Sequence, residues 1–283
     1  MEDQVGFVAQ ENGLVKLPPV KEAVFAVDGD IIAYRTAAVC ETHFEGAAHS
    51  ILQTTLDNIT RITGVHKMRI YLSGSKNFRY EVAKTKPYKG NRATMARPQF
   101  LSSCRDYLVE FCNAHVIDGY EADDAIATDM FVNGAYHCGI DKDMQQIAGK
   151  HYNYVKDEWQ EVSEDQAIIN LYRQILKGDT SDNIPGLPRV GDKLAFDAIQ
   201  CAETALDDAM EKYQEIVGLR MPGVNWIEYL AEQSKLITMV KDVELDYSKT
   251  YFVDAEVTGF EAQENGMISL DDPKVEPRKA IAL

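Results

Sequence analysis

The chain alternates short apolar runs with longer stretches of helical spacing. Ala23-Val24-Phe25-Ala26-Val27 is continuous, apolar and rich in β-formers, which predicts a buried strand ending at Asp28-Gly29-Asp30. An interrupted helical stretch follows to about Thr63. Met68 to Leu72 predicts a second strand. Residues 76–99 are basic and polar, contain Pro87 and Pro98, and carry no apolar period, so they read as an exposed excursion. Phe100, Leu101, Cys104, Leu108 and Phe111 fall at helical spacing and predict a helix over 100–113. His115 to Ile117 predicts a third strand, Ala122 to Val132 a helix, Tyr136 to Ile140 a fourth strand and His151 to Val155 a fifth.

Strands alternating with helices imply an α/β fold with a mostly parallel central sheet flanked by helices. After residue 160 the pattern turns helical. Ser163-Glu164-Asp165-Gln166 reads as a capping box, with the Ser hydroxyl on one free N–H and the Gln reaching back. That helix should run to Lys177, followed by a Gly/Pro hairpin over 183–191 and a helix from Asp192 to Cys201. The expected organisation is an N-terminal arm (1–20), an α/β core (21–160) with a basic region at 76–105, and a helical region (161–283) ending in an acidic segment.

Composition bounds the chemistry. The 283 residues are 45% apolar, enough for a sizeable core. No apolar run approaches a membrane span, and the start Met-Glu-Asp lacks the basic-then-apolar pattern of a secretory signal. Five cysteines, Cys40, Cys104, Cys112, Cys138 and Cys201, show no C-x-x-C spacing. They argue against disulfides or zinc, fit a reducing cytoplasm, and read as small buried hydrophobes. The 45 acidic and 29 basic side chains leave −16, which at first excludes a protein that coats polyanions. The charge is uneven, however. Residues 66–105 hold ten Lys/Arg and one acid, Glu81, so this window carries +9 and the remaining 243 residues −25. Residues 242–272 carry −8 and are expected to face away from any polyanion.

Nine acids form four groups: Asp28 and Asp30; Glu121, Asp123 and Asp124; Asp141 and Asp143; Asp179 and Asp182. Three of the groups follow a predicted strand or open the next helix, and sites in parallel sheets lie beyond the carboxyl ends of strands. Any one group also reads as a helix cap or turn former. Together they crowd like charges that need counter-cations. Hard oxygen ligands in this number suit Mg²⁺ or Mn²⁺, and two such ions would clamp a phosphodiester and activate water. In the hairpin from Gly178 to Lys193, Gly186 and Gly191 allow close approach of a backbone, Arg189 and Lys193 add charge, and the helix opening near Asp192 offers free N–H groups to a phosphate. Lys84, Lys86, Lys89 and Arg92, with Arg79, suit phosphates, and Tyr88 suits stacking on a base.

These residues resemble the flap-endonuclease-like 5′-nucleases, and among them the free-standing 5′→3′ exonucleases of tailed phages. The motifs are Val-Asp28-Gly-Asp30, Asn77-Phe78-Arg79, Tyr88-Lys89-Gly-Asn-Arg92, Tyr120-Glu121-Ala-Asp123-Asp124, Asp141-Lys-Asp143-Met-Gln and Gly178-Asp179 through Lys193. They span residues 27–194, and the C-terminal third carries no such likeness. The resemblance implies that Asp28, Glu121, Asp123, Asp124, Asp141, Asp143, Asp179 and Asp182 hold two Mg²⁺, directly or through water. It implies catalytic roles for Asp28, Asp143, Lys89 and Arg92, the two cations lying over the site on an arch and stabilising the transition state. It makes residues 175–200 a helix-three-turn-helix that grips duplex DNA, with a K⁺ ion as a candidate. The implied reaction is phosphodiester hydrolysis from a 5′ end or flap, releasing 5′-phosphorylated products. RNA–DNA hybrid is a candidate substrate, replication proteins are candidate partners, and a monomer in the host cytoplasm is expected.

Two departures stand out. Many members of that family carry an Asp after the second strand, where this chain has Ser73, and Arg189 stands where a Gly is common in the hairpin. Two other readings compete. A haloacid-dehalogenase-like phosphatase would use Asp28 as a covalent nucleophile, but leaves Glu121 to Asp124, Asp141/Asp143, the basic excursion and the hairpin without a role. A non-catalytic DNA-binding module would use the acids only to buttress loops.

Overall fold

Strand β3 (Val24–Asp28) lies at the centre of the sheet, because Phe25, Ala26 and Val27 can be fully buried on both faces. The computed structural model describes residues 7–10, 13–16, 23–93 and 95–253. Within the expected N-terminal arm, strands β1 (Phe7–Gln10) and β2 (Gly13–Lys16) pair antiparallel. The acidic stretch expected over 242–272 falls largely outside the described residues.

From β3 the chain runs through α1 (Gly29–Val39) and α2 (Glu45–Thr63) to β4 (Lys67–Asn77), then through the short α3 (Arg79–Val82) and α4 (Leu101–Phe111) to β5 (His115–Gly119). After α5 (Ala122–Asn133) it returns to the other side of β3 as β6 (Tyr136–Cys138), and continues into β7 (Gly149–Asn153) and β8 (Glu158–Val162). The strand order is β5-β4-β3-β6-β7-β8, with β9 (Tyr251–Phe252) beside the start of β4. Within this sheet the pairings are parallel except β7–β8 and β4–β9. The expected strands and helices of the core are present, displaced by one to a few residues at their ends. The antiparallel β8 and β9 have no clear period in the sequence and went unpredicted.

This topology makes a switch point. The chain leaves β3 toward β4 and later comes back to β6, so a crevice opens at the carboxyl ends of β3 and β6. Helix α1 starts there without a loop. The Asp28 carboxylate accepts the Ile31 N–H at 3.0 Å and caps it. Gly29 permits this tight start: a Cβ there would stand 2.8 Å from both the Ile70 side chain and the Tyr71 carbonyl.

Helices α1, α2 and α4 bury Leu52, Leu56, Cys104 and Leu108 over one face of the sheet. Helix α5 covers the other face with Ala125, Ile126 and Met130. A third apolar cluster joins α6 (Glu164–Lys177), α7 (Asp192–Ala198), α8 (Ala205–Arg220) and α9 (Trp226–Ile237). Gln146 ties this helical part to the sheet: its Nε2 donates to Gln174 Oε1 and the Ile237 carbonyl, and its Oε1 accepts the Met239 N–H. At the start of α6, Ser163 caps the Gln166 N–H at 3.2 Å. The other half of the expected capping box does not form, because Gln166 turns to Asn170 instead. Four cysteines are buried as expected, and Cys201 is exposed. Among the described residues no helix is long and apolar enough to cross a membrane.

Helix α5 carries two fully buried carboxylates, Asp124 and Asp129. A buried charge needs a partner, and each receives an arginine. Arg69 pairs with Asp129 at 2.7 Å through two nitrogens, with the Tyr71 hydroxyl donating to the same group. Arg79 pairs with Asp124 at 2.6 and 2.8 Å and also donates to the Leu236 and Thr238 carbonyls. Arg79 thereby locks the root of the basic segment onto α5 and the end of α9.

Two outcomes follow from these buried groups. Asp124→Asn keeps an acceptor for Val240 N–H but leaves buried Arg79 with only the more distant Glu121, at 3.7 Å, as counter-charge, and is expected to cost about 3 kcal/mol in urea denaturation. An unchanged midpoint would contradict the pairing. The second outcome concerns His137 and His151, both buried, with Nδ1 atoms 3.1 Å apart. His151 Nε2 donates to the Ile147 carbonyl, so its Nδ1 accepts from His137, whose Nε2 has no partner. Burial, and then His151, push His137 down to about 3. The unfolded chain therefore binds more protons than the folded one between this value and about 6.5, and stability falls as pH drops through that window. His137→Gln should shrink the stability lost between pH 7 and pH 5 by about 2 kcal/mol, whereas equal losses would show that His137 is already charged in the fold.

Candidate active site

A cavity of about 290 Å³ opens at the switch point. Eight of the nine acids singled out in the sequence line it: Asp28, Asp30, Glu121, Asp123, Asp141, Asp143, Asp179 and Asp182. Each reaches it for a local reason. Asp28 ends β3, and Asp30 lies in the first turn of α1. Glu121 caps α5, and Asp123 sits in its first turn. Asp141 and Asp143 follow β6, where the Asp141 carboxylate accepts the Asp143 N–H at 2.8 Å and starts a 3₁₀ turn. Asp179 and Asp182 come from the hairpin after α6, shaped by an Asp179–Ile184 bridge and by Asp179 accepting from Ser181.

That hairpin depends on two glycines with positive φ, Gly178 at 76° and Gly186 at 58°. Their backbones pack so closely that a Cβ on either would enter the other strand of the turn.

The ninth acid, Asp124, does not reach the cavity. It is turned inward and committed to Arg79, the Glu121 N–H and the Val240 N–H, so it is not a metal ligand. Arg79 is consumed by the same pair and is not free for DNA. Tyr88 is only 4% exposed and cannot stack on a base. Its hydroxyl lies 2.8 Å from both Glu121 Oε2 and Asp182 Oδ2. Gly186 is also unavailable, since its N–H donates to Gln233 and its carbonyl accepts from Tyr229. The expected excursion at 76–99 is thus anchored at Arg79 and Tyr88, while Lys84, Lys86 and Arg92 are exposed on it. In the hairpin Gly191, Arg189 and Lys193 are exposed as well. Arg189 takes φ 65°, the conformation a glycine adopts most easily.

Two cations stand over the acids. Lys89 Nζ lies 2.5 Å from Glu121 and 3.7 Å from Asp182, and Arg92 lies 2.5 Å from Asp182. Even with Arg79 counted, and with Arg105 on Asp30 from outside the cavity, eight carboxylates face four cations. The imbalance is felt in their protonation. Asp28 is pushed up to about 6 by desolvation first, with Asp141 and Glu121 adding repulsion. Asp143 is pushed up to about 7 by desolvation and then by Asp141 and Asp179. Asp123, Asp141 and Asp182 are also raised, desolvation leading in each. Among the described residues no three such side chains already converge on one ion position; the acids ring the cavity instead of meeting at a point. Their chemistry nonetheless fits hard divalent cations, which take carboxylate and water oxygens together.

Ser73 stands at the rim. Its hydroxyl accepts the Ala122 N–H at 3.0 Å, and its own N–H donates to Asp30 at 2.8 Å. Arg105 bonds Asp30 and the Ser73 carbonyl. Charge patterning marked Arg105 only as part of the basic window, and nothing in the sequence paired it with Asp30.

No protein-family model matches the chain. Among curated proteins it is similar to a 5′-3′ exonuclease of Buchnera aphidicola subsp. Schizaphis graminum, with 26% identity over 200 residues, 62% of this chain and 69% of that protein. It is similar to a 5′-3′ exonuclease of Bacillus subtilis, with 30% identity over 154 residues, 46% of this chain and 50% of the other. A match to DNA polymerase I of Bacillus subtilis, 25% identical, takes in 81% of this chain but only 29% of that protein. The chain therefore spans half or less of the two Bacillus relatives. Among solved structures, its fold is similar to the bacteriophage T5 D15 protein crystallised with metal ions, with a TM-score of 0.58 and 18% identity over 76% of this chain and 89% of that one. The T5 5′-exonuclease with bound zinc gives a TM-score of 0.55 and 18% identity over 76% and 86% of the two chains. In sequence the chain is thus similar to proteins named 5′-3′ exonuclease, and its fold, a mostly parallel sheet with acids gathered at its switch point and a basic segment tied over them, is similar to that of the T5 proteins.

Proposed function

We propose that the protein is a divalent-metal-dependent 5′→3′ exonuclease and flap endonuclease that hydrolyses phosphodiesters of duplex DNA and releases 5′-phosphorylated products. The observation that carries this reading is the ring of eight carboxylates beneath Lys89 and Arg92. Asp28, Glu121, Asp123, Asp141, Asp143, Asp179 and Asp182 are the candidate holders of two Mg²⁺, with Mn²⁺ as a substitute. Such ions, when bound, supply Lewis-acid charge and a water of lowered pKa.

The chain's own residues do the rest. Lys89 and Arg92 have charge to offer a phosphate once divalent cations take over Glu121 and Asp182. Tyr88 holds these two acids at a fixed separation from below. Exposed Lys84 and Lys86 draw the backbone toward the cavity, and Arg189, Gly191 and Lys193 meet the duplex farther along. In this reading the hairpin is a helix-three-turn-helix, with K⁺ as a candidate bridge to phosphate. Removal of RNA primers from RNA–DNA hybrids and a role in phage DNA replication belong to the same proposal.

A phosphatase reading gains nothing from the geometry. Asp28 is tied to the start of α1 through Ile31 N–H, and most of the cavity's charge comes from residues a phosphatase would leave idle.

The direct test is digestion of duplexes, 5′ flaps and RNA–DNA hybrids labelled at the 5′ or 3′ end, with Mg²⁺ and with excess chelator. Wild type should shorten strands from the 5′ end only when Mg²⁺ is present. Asp143→Asn should bind DNA and lose at least about a hundredfold in rate. Attack from 3′ ends, chelator-resistant cleavage, or full activity in Asp143→Asn would each overturn the proposal.

A further inference from the structure

Helix α9 grips the basic segment at its root. The Glu232 carboxylate accepts three hydrogen bonds, all 2.7 Å long. Its Oε1 takes the N–H groups of both Lys84 and Thr85, and its Oε2 takes the Thr85 hydroxyl. Two successive N–H groups turned onto one oxyanion make a nest, and bonds to an ionised acceptor are the stronger kind. Lys84 and Thr85 are exposed, so water would satisfy these groups if Glu232 did not. The contact therefore selects a conformation and does not merely fill a bonding need.

The same helix holds the hairpin. Tyr229 donates to the Gly186 carbonyl at 2.6 Å, and Gln233 accepts the Gly186 N–H at 3.0 Å. The far end of the basic segment is tied to that hairpin through Lys89 N–H to the Asp182 carbonyl at 2.9 Å and Asn183 Nδ2 to the Pro87 carbonyl at 2.8 Å. Residues 84–90 are thus strung between two anchors that share one brace. Lys89 lies between them with φ 52°, a left-handed conformation that is strained for a non-glycine residue and persists only where its surroundings impose it.

We propose that Glu232 is a positioning residue for cleavage: through Lys84 and Thr85 it fixes where the Lys89 ammonium stands over Glu121. This rests on Lys89 acting on the scissile phosphate. The effect reaches catalysis through Lys89 alone, so the two side chains form one energetic unit.

The test is a double-mutant cycle under single-turnover conditions with Mg²⁺, using Glu232→Gln, Lys89→Ala and the pair, with hydrogen exchange read at the Lys84 and Thr85 amides. Glu232→Gln should speed that exchange, leave DNA affinity within about twofold, and slow cleavage by about tenfold or more, because small misplacements of a catalytic group are expensive in rate. Thr85→Val, which removes one of the three bonds without touching α9, should give a smaller effect in the same direction. In the Lys89→Ala background, Glu232→Gln should change the rate by less than about twofold. A wild-type rate in Glu232→Gln, or an equal slowing of both backgrounds, overturns the assignment. If Lys89→Ala itself cleaves normally, the reading of Lys89 fails first and Glu232 falls with it; if only Glu232→Gln is silent, Lys89 stands and Glu232 alone is refuted.

Discussion

Repulsion among carboxylates at the switch point of the sheet is the constraint around which the rest of the structure is arranged. Eight acids from four separate stretches of chain face one cavity of about 290 Å³. Water is partly withdrawn from them, so their charges are screened less and several are pushed toward the neutral form. Such an arrangement does not exist for its own stability. It persists because Lys89 and Arg92 offset part of the charge, and because β3, α5, β6 and the hairpin are each fixed by contacts elsewhere.

Those contacts explain why so many polar groups are buried in a protein of this size. Arg79 satisfies Asp124 and two carbonyls beside α9, and so joins the sheet to the helical part at the edge of the cavity. Tyr88 and Lys89 reach both Glu121, which belongs to the sheet side, and Asp182, which belongs to the hairpin. The acids of the two parts are therefore stapled together by the segment that brings positive charge to them. The −16 of the whole chain and the +9 of residues 66–105 are consistent in this light: the minority charge is placed where the majority charge is most concentrated.

Much of this was legible in the sequence. Short apolar runs found the parallel strands, because a strand buried on both faces reads as a continuous apolar block. The placement of acids just after those runs found the cavity, because parallel strands bring their carboxyl ends to one side. What stayed illegible was direction. Asp123 and Asp124 are neighbours on a helix and point about 100° apart, so one reaches the cavity and the other the interior. Arg79 and Tyr88 read as solvent-facing because they lie in a polar, proline-containing stretch, yet long-range partners at Asp124, Glu121 and Asp182 bury them. Gly186 reads in the sequence as a point of close approach for a ligand's backbone, yet its close neighbour is Gly178. The antiparallel β8 pairs along its whole length with β7, but Glu158 and Gln160 face water and hide it in the sequence.

The central claim is that this ring of acids exists to hold divalent cations. Ca²⁺ is the useful probe, because it takes the same oxygen ligands and its effect on folding is read without any cleavage. Thermal unfolding of wild type and of the double variant Asp141→Asn/Asp143→Asn, followed across a Ca²⁺ titration, tests it most directly. The account predicts that without metal the double variant is at least as stable as wild type, since repulsion is relieved. It further predicts that added Ca²⁺ raises the wild-type midpoint progressively and the variant's far less. A wild-type midpoint indifferent to Ca²⁺, or an equal rise in both proteins, would contradict it.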